Sequence, residues 1–526
     1  MKQKVIINAI MYAFILLFIM LFQGIFGATN KLVGVAVLII GLVISEKDLT
    51  QNLSVLLLRL LMVNVAIGIF SYLTLLNPVL GFIINLFFIF YITYVTVEGN
   101  KKPYHFPFIL AYLFLTLITP TTLNELPGRL IALAGGAVSI VGLQWLFNGK
   151  TYTKVLKAQL DGVLNALSLK VDRILASDDC LHAEEEVALQ TRMSRFMKVT
   201  YDRLGFKGPL TEQSMKRITE IVTFEKMYYS LEDIAKDYQA GLIDQTMIED
   251  IQLLIKDYQQ GTSSTIQAVL KKWEGPESLP SLERFKETLQ VLQTGEHGDY
   301  PLKKQSLFKQ LLKRVDRESY AFQFAARLAI LMSVALFIVQ VFDLSYGRWL
   351  CLTIAALVQP GVEESRKKLL QRLVGTLVGV TIFVVLITLI KGDTMRSAVI
   401  FITAYVGMFF DRYDYKMIFI TIQSLGSAII GTTGQVVVEN RIFYVLVGAV
   451  IAAIGNKFLF PIHEKDLKQH YLEEYTKSKQ HLMKEPKDYP HLTIVDSYHY
   501  LQMGGIEKEN YREWLNLSFN ALTKFM

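Results

Sequence analysis

The chain has 526 residues, of which 52% are hydrophobic and 19% charged, with a formal net charge of +7. About a quarter of a typical soluble domain is charged, so this composition argues against an ordinary soluble enzyme. Residues 148–318 hold 25 Lys/Arg against 26 Asp/Glu and residues 461–526 hold 9 against 10, whereas the two remaining, apolar blocks hold 20 against 11. The positive excess lies where anchoring charges at a membrane face belong, not on a nucleic-acid surface. The two cysteines, Cys180 and Cys351, leave no disulfide framework and no CxxC metal site, and both read as inert small hydrophobes.

In chain order, the first apolar block predicts six spans, at roughly 5–27, 31–45, 53–76, 78–97, 106–123 and 127–147. The first is too long and too uniformly apolar for the core of a cleaved leader, and it has a twin at 320–342, so it reads as a retained span. Residues 148–318 predict a helical bundle, with apolar spacing of three to four over about 155–175, 184–204, 210–238, 243–273 and 281–294 and breaks at Gly205, Gly208-Pro209, Gly241, Gly261 and Gly275-Pro276. The second block predicts six more spans, at roughly 320–342, 347–360, 369–390, 395–410, 416–434 and 442–460. The tail from 461 predicts helices near 471–483 and 511–525.

The two apolar blocks repeat each other. Leu56-Leu57-Leu58-Arg59-Leu60-Leu61 aligns with Leu369-Leu370-Gln371-Arg372-Leu373-Val374 at an offset of 313 residues. Arg129-Leu130 and Gly136-Ala137-Val138 align with Arg441-Ile442 and Gly448-Ala449-Val450 at 312. Six spans is an even number, so both copies share one orientation and the repeat is parallel. Lys and Arg near the span ends number 14 against 6 in favour of a cytoplasmic N-terminus, which also makes the central and C-terminal regions cytoplasmic. The expected fold is therefore an all-α polytopic membrane protein, with two parallel six-helix transmembrane modules separated by a cytoplasmic helical domain. The expected boundaries are 1–147, 148–318, 319–460 and 461–526.

No phosphate-binding glycine loop, metalloprotease motif, spaced His/Cys set or nucleophile elbow occurs, so no enzyme, cofactor or metal is expected. The densest polar constellation surrounds the second span of the second block: Trp349, Thr353, Gln359, Pro360, Arg366, Gln371, Arg372 and Gly375, with Gly379 one turn further on. Pro360-Gly361 ends a short span. Gly375 and Gly379 form a small-xxx-small face for close helix packing. Arg372, at the start of the next span, reads either as a snorkelling anchor or as an anion contact at the cytoplasmic mouth, and Arg59 repeats it. Arg327 is the deepest cation outside the loops. Gln423, Ser424, Thr432 and Thr433 give one span a hydroxyl-rich face that suits either packing or a pathway wall. No Asp or Glu falls at the middle of a predicted span, so any proton coupling would fall to Asp343, Asp411, Asp414 or Glu439 near the span ends.

The run Trp349, Thr353, Gln359-Pro360, Gln371-Arg372-Leu373, Gly375-Thr376 and Gly379 resembles the signature of the fusaric-acid-resistance and aromatic-acid-exporter family, to which plant aluminium-activated malate channels are distantly related. The layout of six spans, helical region, six spans and tail is also similar. Glu363-Glu364 depart from the small or polar residues expected there, which bears on substrate more than on membership. The resemblance implies efflux of aromatic or other organic acids across the plasma membrane, driven by proton uptake in some members. The alternatives are an anion channel gated by the cytoplasmic helices and a non-transporting scaffold. The expected partners are the lipid bilayer and a small organic anion, with no nucleic acid, and a homodimer is compatible with the amphipathic insert and tail.

Overall fold

A computed structural model describes residues 2–97, 104–176, 183–203, 212–260, 264–273, 279–294, 319–390, 393–428, 434–483, 490–505 and 508–523. Apart from turns and two single-turn 3-10 segments, these residues are helical, and no strand occurs among them. Seven helices are long and apolar enough to cross a membrane, and four apolar helices of 10–17 residues accompany them. At 1.5 Å per residue a 14-residue helix reaches only about 21 Å, so the twelve spans expected from sequence are not all full-length. The protein is an all-α, multi-pass membrane protein. The helices separate into two compact units.

The first unit comprises Met1–Glu46, Leu53–Gln144 and Phe308–Leu467. Before the insert it contributes α1 (Lys2–Phe26), α2 (Lys31–Ile44), α3 (Leu53–Leu73), α4 (Pro78–Val97), α5 (His105–Leu117) and α6 (Leu126–Asn148). After it come helices from Tyr320, Arg348, Val362, Asp393, Tyr413 and Gly434, with the second again short. Numbering resumes after the helices of the insert, α7 (Thr151–Leu175), α8 (Ala183–Arg203), α9 (Glu212–Gln239), α10 (Gln245–Gln259), α11 (Ser264–Lys272) and α12 (Pro280–Thr294). The later membrane helices are then α13 (Tyr320–Val341), α14 (Arg348–Leu357), α15 (Val362–Leu389), α16 (Asp393–Gly407), α17 (Tyr413–Ala428) and α18 (Gly434–Phe458).

Several contacts recur on the two sides of the insert. α13 packs along α4, where Tyr320 donates to the Val97 carbonyl (3.2 Å) and Phe82 meets Phe337 edge-on at 5.9 Å. α1 packs against α16, where Asn8 donates to the Met408 carbonyl (3.4 Å) and Tyr12 to the Phe401 carbonyl (2.8 Å). In each case a first helix meets the fourth helix of the other block. Gln144 of α6 donates to the last carbonyl of α2, that of Ile44, at 2.7 Å, and Asn456 of α18 donates to the last carbonyl of α14, that of Leu357, at 3.3 Å. These pairs are separated by the sequence offsets of 312 and 313. Gly375 and Gly379 let α15 touch α17: a Cβ at Gly375 would lie 2.6 Å from the Asp414 carbonyl oxygen, and one at Gly379 would lie 2.8 Å from that of Ile418.

The second unit comprises Lys47–Asn52, Trp145–Leu307 and Lys468–Met526. It holds α7 to α12, most of α19 (Glu464–Met483), and α20 (Pro490–Gly504) and α21 (Lys508–Thr523). The tail helices share a core with the insert: Phe196 and Met197 of α8, Ile218 and Val222 of α9, Tyr498 of α20 and Trp514 of α21 lie in one buried cluster. A second cluster joins α7, α9, α10 and α12 through Leu167, Leu231, Ile251 and Phe285. Arg512 of α21 pairs with Glu186 at 2.7 Å and Glu232 at 3.0 Å. The insert and tail, read separately in the sequence, thus form one helical body. The α2–α3 connection belongs to the same body: Asp48 pairs with Arg203 at 3.3 Å.

Candidate functional site, a buried arginine cluster

The short helix α14 sets the geometry. It starts at Arg348-Trp349 and is stopped by Gln359-Pro360, since proline has no N–H to continue the ladder. The elbow that follows is tied from α13. The fully buried Arg327 donates to the carbonyls of Gln359 (2.6 Å), Pro360 (2.8 Å) and Phe460 (3.0 Å). Lys368 donates to the Gln359 side chain at 2.7 Å, and Ser365 accepts from the Gln359 N–H at 3.1 Å. Arg327 therefore acts as a clamp on backbone carbonyls. Pairing of this kind is what a cation at membrane depth needs.

After the elbow, α15 runs unbroken from Val362, because Glu363 through Lys368 are helical. The helix thus starts seven residues before the span expected from 369, and ten helical residues precede Arg372. Arg372 is 6% exposed and donates to the Tyr413 hydroxyl (3.1 Å) and to the fully buried Thr353 hydroxyl (3.2 Å). Arg441, which the sequence gives only as the repeat partner of Arg129, enters the same region from α18. Its guanidinium lies 5.3 Å from the ring centre of Trp349, and the guanidinium of Arg348 lies 5.5 Å from that ring. Tyr346 stacks on Trp349 at 5.3 Å. Arg372, Arg348 and the phenol of Tyr413 lie within electrostatic range of Arg441. Arg441 is 2% exposed, forms no hydrogen bond or ion pair among the described residues, and its Nε is enclosed without an acceptor. An indole face stabilises a nearby cation by about 0.5–2 kcal/mol, short of the several kcal/mol that burying an ion costs.

The other sequence candidates fall elsewhere. Arg59 is half-buried on α3, with Tyr104 and Tyr91 among its electrostatic neighbours, as Tyr413 is for Arg372. Arg129, the sequence counterpart of Arg441, instead donates to the carbonyls of Thr119 (3.1 Å) and Thr29 (3.4 Å). Ser424 turns its hydroxyl to the Thr421 carbonyl of its own helix at 3.0 Å, and Gln423 is half-buried. Thr432, Thr433 and Cys180 lie outside the described residues. Arg366 is exposed and Gln371 half-buried. Glu363 accepts from the Glu464 N–H (3.1 Å) and pairs with His463 (2.9 Å), so this departure from the family pattern serves the start of α19. Asp343, Asp411 and Glu439 are exposed, Asp411 pairs with Lys4 at 3.5 Å, and Asp414 pairs with Arg412 at 2.7 Å. Sequence reasoning passed over His105, which is 2% exposed and whose two ring nitrogens find no partner among the described residues, its ring lying against Phe324. Among the described residues no His/Cys/Asp/Glu group is arranged to hold a metal.

These features define a polytopic helical membrane protein with two buried arginines, Arg372 and Arg441, and the half-buried Arg348 near them. Residues 334–455, which include Trp349, Thr353, Arg372, Tyr413 and Arg441, match the family described as fusaric acid resistance protein-like, so this membrane protein carries a domain of that family. The chain is 29% identical over 147 residues to an uncharacterized protein of Haemophilus influenzae, a match covering 27% of this chain and 20% of that one. It is 28% identical over 155 residues to an uncharacterized protein, ORF2, of Neisseria gonorrhoeae (28% and 36%) and 25% identical over 165 residues to the inner membrane protein YccS of Escherichia coli K12 (31% and 23%). The matched stretches thus span between a fifth and about a third of those relatives. No solved structure matches the chain.

Proposed function

We propose that this protein is a transporter that moves organic anions, aromatic carboxylates first among them, outward across the plasma membrane. In this reading Arg441, Arg372 and Arg348 form its anion-binding site. The observation that carries the reading is Arg441: a buried guanidinium with no acceptor among the described residues, within electrostatic range of two further arginines. Burying an unpaired ion costs several kcal/mol, and an anion that enters the site removes that cost. The aromatic wall of Trp349 and Tyr346 and the family's description, which names resistance to an organic acid, support the choice of substrate.

The two apolar blocks act as related halves, with the pathway between them. The recurring pairs Gln144–Ile44 and Asn456–Leu357, and the exchange of first helices, support this arrangement. The balance of Lys and Arg supports a cytoplasmic N-terminus, helical body and C-terminus. Efflux of a labelled aromatic carboxylate from loaded cells tests the proposal. Wild-type protein speeds efflux, and Arg441→Gln at equal membrane abundance removes the gain.

A second reading, an anion channel, has its own support. Among the described residues of the membrane unit no Asp or Glu is buried, so a carboxylate proton carrier inside the helices has no candidate there. Efflux that follows the anion gradient after the proton gradient is collapsed favours the channel. Efflux that stops favours a coupled exporter and directs attention to His105, Asp343, Asp411, Asp414 and Glu439.

A further inference from the structure

The charge of the arginine cluster exceeds what one carboxylate can balance, and we infer that its ligand is a small organic dianion. This rests on the binding site proposed above and narrows what the site takes. Arg348 reaches it from α14, Arg372 from α15 and Arg441 from α18. Arginine keeps its proton in proteins, so the cluster carries three positive charges.

No carboxylate forms an ion pair or hydrogen bond with any of the three among the described residues. Arg372 uses neutral acceptors, the hydroxyls of Tyr413 and Thr353. Arg441 uses none. Glu439, two residues before Arg441, accepts from Gln435 at 2.9 Å and is exposed. In the first block the fold meets the same need differently, since Arg129 donates to two backbone carbonyls.

A monoanion would neutralise one charge and leave two uncompensated in surroundings where repulsion is stronger than in water. Two carboxylates on adjacent ring positions, or one phosphate ester, neutralise two charges. Each also offers enough oxygens for two forked guanidinium contacts, which are the stronger charge-assisted kind. Trp349 is then a positioning residue: its ring centre lies 5.5 Å from the Arg348 guanidinium and 5.3 Å from that of Arg441.

Benzoate, phthalate and phenyl phosphate share one ring and differ in head charge. The test is their stabilisation of the purified full chain against heat, at equal ionic strength and about pH 8, where the phosphate ester is fully ionised. Phthalate and phenyl phosphate are expected to reach half-saturation at concentrations at least about tenfold below benzoate. Arg441→Gln should abolish most of that advantage, and Arg441→Lys, which keeps the charge, should retain more of it. Benzoate binding as tightly as the two dianions overturns the inference while leaving organic-anion binding intact. No stabilisation by any of the three contradicts the binding site itself. The wild-type series decides the matter even if the variants fail to fold.

Discussion

The hydroxyl of Tyr511, near the start of α21, donates to the carboxylate of Glu225 inside the helical body, with no cation against that carboxylate. Glu225 is fully buried on α9, and the Gln159 amide of α7 donates to its other oxygen at 3.5 Å. Tyr229 of α9 and Tyr498 of α20 also face it, and Arg512 lies over Tyr229 rather than against Glu225. One side chain therefore joins the first and third helices of the insert to the C-terminal tail.

Burial pushes the Glu225 carboxyl up to about 8, against an ordinary value of 4.5. Between those values the unfolded chain binds fewer protons than the folded one, so stability is full below 4.5, declines as pH rises and levels off above about 8. The slope cannot exceed about 1.4 kcal/mol per pH unit for this one group. Asp202, raised by burial to about 6, adds to it in the same direction. Thermal melting followed by Trp514 fluorescence should fall from pH 5 to pH 8, and Glu225→Gln should flatten most of the fall. An unchanged slope in that variant would assign the effect elsewhere.

Trp514 is fully buried and donates to the Ser497 hydroxyl at 3.0 Å. Trp514→Ala should cost about 3–5 kcal/mol and loosen α20 and α21 from α8 and α9. Hydrogen exchange should then rise in the tail helices and along α8 and α9, with α10 to α12 changed least.

Arg327→Met keeps the length of the side chain and strips three carbonyls of their donor. Each unsatisfied buried group costs about 1–3 kcal/mol, so the elbow at Gln359-Pro360 should open. The variant should show lower membrane abundance, and detergent-solubilised protein should melt well below wild type. Normal melting would mean that other donors already satisfy those carbonyls.

Gly379→Leu would drive a Cβ to 2.8 Å from the Ile418 carbonyl oxygen, a backbone atom that cannot swing aside. A Cβ at Gly142 meets nothing within 4 Å. Gly379→Leu should therefore abolish folded protein, whereas Gly142→Leu should express as wild type. Size-exclusion profiles of the two variants check this.

The apolar blocks, the helical insert and the 312–313 offset were all legible in the sequence, because composition and apolar spacing record which faces leave water. The start of α15 was not, because Glu363-Glu364 and Arg366-Lys367-Lys368 look like a loop when α15 in fact runs through them. The partners of Arg327 were invisible for a different reason: backbone carbonyls leave no mark in a sequence. The matched hydrogen bonds of Gln144 and Asn456 were hidden by their different side chains, though both end in the same amide. Arg441 was legible as the repeat partner of Arg129, an arginine near a span end that either draws anions or snorkels. What the offset does not carry is that one of the pair meets carbonyls and the other meets two more arginines.

The central claim is that buried arginines receive an organic anion, and uptake of a labelled aromatic carboxylate into inside-out vesicles tests it most directly. Wild type, Arg441→Gln, Arg372→Gln and the exposed-site control Arg366→Gln would be compared at matched protein levels. The account predicts uptake in wild type and in the control, and a loss of at least about tenfold in each buried variant, the size expected when a charge-assisted contact is removed. Uptake in Arg441→Gln and Arg372→Gln equal to that of wild type would contradict it.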